Sequence, residues 1–108
     1  MPDSLTLTSK QRSLLRAFAN TLDPVLHIGK DGLTDPLIKQ AWDALEAREC
    51  IKVTLQRGSP FASARDACSS LCERVHAQPV QVIGAKFVLY RPSREKPELL
   101  RHLERNSP

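Results

Sequence analysis

A loop with two glycines contains the residues of this chain best suited to bind a phosphate. The loop consists of Gly29, Lys30, Asp31 and Gly32, and it follows a short apolar run at 25–28. A strand that turns on glycine into a helix leaves backbone amides exposed near the helix N-terminus, and such amides bind anions well. Lys30 adds a positive charge at the tip, while the glycines permit another backbone to approach closely. The pattern therefore predicts an anion-binding loop.

The same four residues also fit a simpler structural role. Two glycines often make a tight connection between a strand and a helix without any ligand. In RNA-binding modules of the KH type, however, a Gly-X-X-Gly loop clamps the nucleic-acid backbone. Lys30 at the tip favours the phosphate clamp. In such a clamp the carboxylate of Asp31 would have to point away from the ligand.

Further basic side chains are candidates for contacts with an anionic partner. Arg12 and Arg16 lie four residues apart on the first predicted helix, so both should face solvent on one side. Lys52 and Thr54 alternate with apolar residues and so point off the apolar face of a predicted strand, and Arg57 lies beyond its end. Each of these side chains could instead belong to an ordinary solvated surface.

No cluster of side chains predicts catalysis or a metal site. Cys68 and Cys72 lie four residues apart on one helix face, but a zinc site needs about four ligands in a defined set. The remaining candidates, Cys50, His27 and His76, have no motif spacing. We interpret the thiols as buried small hydrophobes in a reducing cytosol. Because there is also no Ser/His/Asp set, Walker loop or dinucleotide fingerprint, we expect neither an enzyme nor a cofactor.

Length and composition limit the remaining possibilities. The 108 residues suit one domain with a single core, and 41% hydrophobic with 26% charged residues is ordinary for a globular protein. The net charge of +4 favours an anionic partner without identifying it. No apolar run approaches the roughly 20 residues that span a bilayer. We expect a cytoplasmic monomer that does not enter a membrane.

The elements that must position the loop follow the order αβαβαββ. Thr8 opens the first helix, with Gln11 as its capping-box partner, and Asp23-Pro24 ends it. The second helix begins at Thr34 or at Asp35. The remaining elements are a third helix at about 60–76 and strands at 25–28, 51–55, 80–83 and 87–90. Two strand–helix–strand steps followed by a hairpin predict an α/β fold with a four-stranded mixed sheet packed by helices.

The two ends of the chain differ from this central part. Residues 1–7 are predicted to form a flexible leader, and residues 8–94 the domain. The tail at 95–108 is basic, and three leucines follow Pro97 at helical spacing. This pattern fits a short amphipathic helix as well as it fits a frayed, solvated end. The three leucines are Leu99, Leu100 and Leu103.

Three separated motifs together resemble the CRM domain. They are Leu7–Gln11, Gly29–Thr34 and Val82–Pro92. They occur in the order and spacing of that family, and the similarity extends over about residues 5 to 94. More narrowly, the chain is similar to the small bacterial single-domain members of the family, the YhbY-type proteins.

The resemblance implies an RNA-binding domain whose fold is similar to the C-terminal domain of translation initiation factor three. Bacterial members of the family associate with precursors of the large ribosomal subunit, and plant relatives assist group II intron splicing. The family's Gly-X-X-Gly loop falls on residues 29–32 of this chain. Its basic residues flanking the final strand fall on Lys86 and Arg91.

The resulting hypothesis is a protein that binds structured ribosomal RNA during assembly of the large subunit. The chain has only five aromatic residues, and the core should use most of them. We therefore expect recognition of RNA backbone and shape, with strong salt dependence, and not base stacking on the sheet. Two other classes stay open. One is a protein-interaction module that docks on a ribosomal protein or an assembly GTPase through the tail, and the other is a protein that binds double-stranded DNA.

Overall fold

The structure, a computed structural model, describes residues 7–106. Its elements are α1 (Ser9–Ala19), β1 (Leu26–Ile28), α2 (Asp35–Arg48), β2 (Cys50–Leu55), α3 (Ala64–Val75), β3 (Gln78–Ile83), β4 (Lys86–Tyr90) and α4 (Leu99–Arg105). The predicted order αβαβαββ is confirmed, and a fourth helix follows it. Most of the predicted leader, residues 1–6, lies outside the described residues. Its last residue, Leu7, is buried.

The four strands form one mixed sheet, as predicted, and they lie in the order β1-β2-β4-β3. β1 pairs in parallel with β2, and β4 pairs in antiparallel orientation with both β2 and β3. The carboxyl ends of β1 and β2 therefore lie at the same end of the sheet as the start of β4. The Gly-X-X-Gly segment follows β1, so we call this side the loop end of the sheet.

Side-chain caps determine where α1 and α2 begin. The Gln11 amide donates to Thr8 Oγ1 at 3.0 Å, and the Thr8 amide donates to the Gln11 side chain at 3.0 Å. This reciprocal pair is the predicted capping box. Thr34 is the N-cap of α2, because its hydroxyl accepts from the Leu37 amide at 3.3 Å. The cap decides between the two predicted starts of this helix.

Two predicted boundaries were wrong for identifiable reasons. Helix α3 begins at Ala64, not near residue 60, because the Ser63 hydroxyl accepts from the Asp66 amide at 3.2 Å and caps the helix there. Strand β3 begins at Gln78, two residues before the predicted start. Pro79 argues against a strand at that point, but β3 is an edge strand, where proline is tolerated. A bulge between Pro79 and residue 81 accompanies it.

Helices cover both faces of the sheet. α2 and α3 pack on one face, where strand residues such as Ile51, Val53 and Phe87 are buried. α1 and α4 pack on the other face, over Val88 and Tyr90. Because side chains alternate along a strand, β2 and β4 each contribute to both cores. On this second face, α1 and α4 cover the part of the sheet that is distant from the loop end. The part near the loop end is left uncovered, and the candidate site lies there.

Candidate functional site

The Gly-X-X-Gly segment forms a closed turn directly after β1. The Gly32 amide donates to the Gly29 carbonyl oxygen across 3.1 Å. Gly32 has a φ of +69°, a left-handed conformation that other residues rarely adopt. The turn thus uses the second glycine for its own closure, and the two residues between the glycines form its tip.

The tip of the turn presents hydrogen-bond donors to solvent. Within residues 7–106 the backbone amides of Lys30 and Asp31 have no acceptor, and both residues are exposed. The ammonium group of Lys30 belongs to the same tip. Successive backbone amides beside a positive side chain can bind the oxygen atoms of an anion. The Asp31 side chain is exposed, so no packing holds its carboxylate close to the place where the anion would bind.

The loop that connects β2 to α3 packs against this turn. The Gln56 amide donates to the last carbonyl oxygen of β1 at 2.9 Å. A Cβ atom added to Gly29 would lie 3.2 Å from Gln56 Oε1, and one added to Gly32 would lie 3.0 Å from Pro60 Cγ. This close packing places the turn at the same end of the sheet as Arg57, whose side chain is exposed.

A row of side chains crosses the sheet at its loop end. His27 of β1 lies opposite Thr54 of β2, which lies opposite Lys86 of β4. Ile83 of β3 completes the row beside Lys86. The side chains of His27 and Lys86 are exposed, and that of Thr54 is half-buried. The structure therefore brings Lys86, predicted from the resemblance, to the same end as the Gly-X-X-Gly turn.

Behind this row a shallow cavity of about 220 Å³ opens between the sheet and the C-terminal end of α1. The half-buried Lys52, another predicted site residue, lines the cavity together with Lys86. Asn20, Gln81 and Ile83 also line it, and no motif in the sequence indicated these three. The run 80–83 is apolar at three of its four positions, so its alternation did not indicate which face each residue occupies.

The two arginines of α1 differ from each other, although both were predicted to face solvent. The Arg12 guanidinium is half-buried and donates a hydrogen bond to the Pro79 carbonyl oxygen at the start of β3. Arg16 is exposed and lies one helical turn closer to Asn20 and the cavity. Arg16 is therefore accessible to a ligand, whereas Arg12 connects α1 to the edge strand.

Arg91 lies at the opposite end of β4 from Lys86, and its guanidinium is buried. Nη2 lies 2.8 Å from Glu46 Oε1, and Nη1 donates to the Val75 carbonyl oxygen at 3.1 Å. The guanidinium carbon lies 4.1 Å from the centroid of the Trp42 ring. Only 6% of the Arg91 side chain is exposed. The expectation of a ligand contact at Arg91 is therefore corrected, since the side chain is buried and both Nη1 and Nη2 bind α2 and α3 inside the protein.

The environment of Arg91 is also electrostatically unusual. Burial lowers the pKa of Arg91, and the carboxylate of Glu46 opposes that effect. Glu46 also accepts from the Arg94 amide at 3.2 Å, and the Arg94 guanidinium lies 4.8 Å from the centroid of the Trp42 ring. Arg91 and Arg94 lie more than 40 positions from Glu46 and Trp42 in the chain, so no local pattern indicated this cluster.

The three cysteines are free thiols and are buried, in agreement with the interpretation of them as small hydrophobes. Burial raises the pKa of Cys50 to about 12. A side-chain hydrogen bond between Cys68 and Cys72 lowers the pKa of Cys68 and raises that of Cys72. Among residues 7–106 no group of three or more His, Cys, Asp and Glu side chains is arranged to hold a metal ion.

The tail forms a helix, and its apolar side faces the domain. The three leucines of α4, Leu99, Leu100 and Leu103, pack against the second core. The Glu49 carboxylate accepts from the amides of Glu98 and Leu99, both at 2.9 Å, and so fixes the start of the helix. The leucines that suggested docking on another protein are therefore used within this chain.

The comparison with known families agrees with this arrangement. A family model, the CRS1 / YhbY (CRM) domain, matches residues 7–91. The chain belongs to the CRM domain family. The matched part of this CRM domain contains the Gly-X-X-Gly turn, the cavity and Lys86, whereas α4 lies beyond it. In the described part of the chain, no helix is both long and apolar enough to cross a membrane.

Several known proteins are similar to this chain over most of their length. A Bacillus subtilis protein named probable RNA-binding protein YqeI is 40% identical over 93 residues, which cover 86% of this chain and 96% of the relative. A Haemophilus influenzae protein named RNA-binding protein is 36% identical over 90 residues, or 83% and 90% of the two chains. The solution structure of SAV1595 from Staphylococcus aureus, described as a candidate RNA-binding protein, matches with a TM-score of 0.72 at 40% identity and covers 87% of this chain and 97% of that one.

Proposed function

We propose that this CRM-domain protein binds structured RNA through the phosphate backbone, with the Gly-X-X-Gly turn as the clamp. The observation that carries the proposal is the pair of amides at Lys30 and Asp31, which have no acceptor within residues 7–106. They lie at the same end of the sheet as the exposed side chains of Arg57 and Lys86. A phosphate oxygen can accept from the amides while the cations neutralise its charge. The names of the relatives from Bacillus subtilis and Haemophilus influenzae support RNA as the ligand.

The basic side chains have different roles in this interface. Lys30 holds the clamped phosphate together with the tip amides. Arg57 and Lys86 contact neighbouring phosphates and fix the orientation of the RNA. Lys52 and Arg16 extend the positive surface along the cavity, away from the turn. Because these contacts are made to the backbone, the shape of the RNA guides docking more than its base sequence does.

The narrower proposal concerns the identity of the RNA. We propose that the protein acts as a monomer in the cytoplasm, on ribosomal RNA in precursors of the large subunit. The support for this step is the resemblance to the small bacterial CRM proteins, which extends over almost the whole of their chains. The alternative was docking on another protein through the leucines of the tail. The structure does not support it, because the leucines of α4 pack against the second core of this chain.

The test is fluorescence anisotropy with a structured fragment of large-subunit ribosomal RNA at low and physiological salt. We expect tight binding that weakens steeply as salt rises, and an affinity lowered about tenfold or more in Lys30→Glu, because a repulsive charge replaces a phosphate contact. Lys96→Glu is the matched control, since Lys96 is exposed and lines a cleft beside α4. It changes the net charge equally.

Three outcomes would count against parts of this proposal. Equal losses in the Lys30 and Lys96 variants would mean that net charge, and not the turn, governs binding. Equal affinity for duplex DNA of the same length would replace RNA by double-stranded nucleic acid as the ligand. A protein that binds no free RNA at either salt concentration would contradict the backbone clamp itself.

A further inference from the structure

The cavity beside the RNA-binding end differs from the rest of that surface in its chemistry. Ile83 at its rim is 58% exposed, and it is the one large hydrophobic side chain that is exposed in the described part of the chain. An isolated apolar side chain on a surface needs no explanation, but this one lies directly beside Lys86 and the cavity. Val88 and Ala19, both buried, form apolar lining of the same cavity.

Two side-chain amides lie around this apolar lining. Asn20 follows the last residue of α1, and Gln81 lies on β3 opposite Val88. Both line the cavity, and within residues 7–106 neither side chain forms a hydrogen bond. A carboxamide can donate and accept at once, and it forms paired hydrogen bonds with the N6 and N7 edge of adenine. The cavity therefore offers both an apolar floor and groups that can read a base edge.

The charges around the cavity favour a nucleotide over an uncharged ligand. Lys52 and Lys86 line it, and none of its described lining residues is acidic. Its volume of about 220 Å³ is smaller than the pockets of about 300 to 1,000 Å³ that enclose drug-sized ligands, and so fits a single base. Phosphates on either side of an inserted base would lie near the two ammonium groups.

We propose that the cavity between α1 and the sheet binds one unpaired nucleotide of the RNA, with adenine as the preferred base. Ile83 and Val88 pack against the base, Asn20 and Gln81 read its edge, and Lys52 with Lys86 hold the flanking phosphates. This inference rests on the proposed RNA-binding function. It adds a site that recognises a base to an interface that otherwise contacts only the backbone.

The test compares two RNA hairpins that differ at one nucleotide. Both carry the same stem with a single bulge, which is an adenosine in one hairpin and an abasic nucleotide in the other. The two RNAs have equal charge and an equal interruption of the stem, so only the base differs. We expect the wild-type protein to bind the adenosine bulge at least about fivefold more tightly, because packing and hydrogen bonds to the base are lost in the other.

Two variants assign this difference to the cavity. Ile83→Ser and Gln81→Ala should bind both hairpins with the affinity that the wild type has for the abasic one. Lys30→Glu should lower the affinity for both hairpins and leave their ratio unchanged. Ile83 is exposed at the end of an edge strand, so its variant should melt close to the wild type, which thermal unfolding would verify.

The possible failures can be told apart. Equal affinity of the wild type for the two hairpins would overturn the base site and leave the backbone clamp intact. A difference that persists in both the Ile83 and the Gln81 variant would also overturn it, because another part of the protein would then recognise the base. Absence of binding to either hairpin would contradict the proposed function together with this inference.

Discussion

Gly32 and Pro60 lie so close that a side chain at Gly32 could not be accommodated without movement. A Cβ atom at Gly32 would lie 3.0 Å from Pro60 Cγ and 3.6 Å from Pro60 Cδ. The φ of +69° at Gly32 adds a second reason, because a residue with a side chain is strained there. The contact joins the Gly-X-X-Gly turn to the loop that carries Arg57, so the geometry of the interface depends on it.

Replacing Gly32 should therefore cost more than replacing Gly29. We expect Gly32→Ala to lower the free energy of unfolding by about 1 to 3 kcal/mol, through backbone strain and the contact with Pro60. Gly29→Ala should cost less, since φ at Gly29 is not positive and the nearest atom belongs to the flexible side chain of Gln56. Urea denaturation of both variants checks this order, and equal losses would contradict it.

Arg91 should matter for stability and not for RNA contact. Arg91→Ala leaves the Glu46 carboxylate without its ion-pair partner, and we expect a loss of about 3 kcal/mol in the free energy of unfolding. Arg94→Ala is the control, because Arg94 is exposed and its backbone amide still donates to Glu46, so the loss should stay below about 1 kcal/mol. Thermal unfolding compares the two variants. If an Arg91→Lys protein is folded but has lost its affinity for RNA, the prediction is contradicted, and Arg91 does contribute to RNA binding.

The start of α4 should depend on Glu49. Its carboxylate accepts from two backbone amides at 2.9 Å, and Glu49→Gln removes the charge and one of the two acceptor oxygens. We expect faster amide hydrogen exchange across Leu99–Arg105, with little change in the strands. Glu104→Gln serves as the control, since Glu104 is exposed and accepts only a long hydrogen bond of 3.4 Å from Gln11 among the residues that the structure describes. Unchanged exchange in α4 would mean that the leucines alone hold the helix.

Tyr90 should make the protein less stable at alkaline pH. Burial is the main cause that raises the pKa of Tyr90 from its ordinary value of 10 to about 12, and the negative charge of the nearby Glu49 adds to this effect. The folded protein then holds this proton more tightly than the unfolded chain does. The contribution to stability is complete below pH 10 and is lost as the pH rises through 12. We expect Tyr90→Phe to have a shallower alkaline loss of stability than the wild type, as measured by urea denaturation at several pH values. Parallel losses in the two proteins would contradict this assignment.

Local patterns in the sequence predicted most of the fold. The capping box of Thr8 and Gln11 is confirmed, and so are the order of the strands and helices and the mixed sheet. The capping box and the individual elements depend on residues within a few positions of each other, so hydrophobic periodicity indicates them, whereas the mixed sheet followed from the rules for connections between successive strands. The predicted start of α3 was wrong because Pro60 is compatible with the first turn of a helix, but the Ser63 hydroxyl caps the helix three residues later.

The candidate site could be predicted only in part. The Gly-X-X-Gly turn is a contiguous motif, so the sequence indicated it, and Lys86 followed from the family resemblance. Asn20, Gln81 and Ile83 come from α1 and the edge strand and meet at one cavity. Their meeting depends on how α1 packs across the sheet, which no local pattern specifies.

Lys86 and Arg91 illustrate what the sequence by itself could not decide. Both are basic and both flank the same strand, so from the sequence alone we expect either residue to contact RNA equally well. In the tertiary structure β4 runs from the loop end, where Lys86 meets solvent, to the opposite end, where Trp42 and Glu46 of α2 surround Arg91. The sequence thus determined the turn, the elements and the supply of positive charge. Only the packing of helices on the sheet decided which charges face a ligand, because burial depends on partners that are distant along the chain.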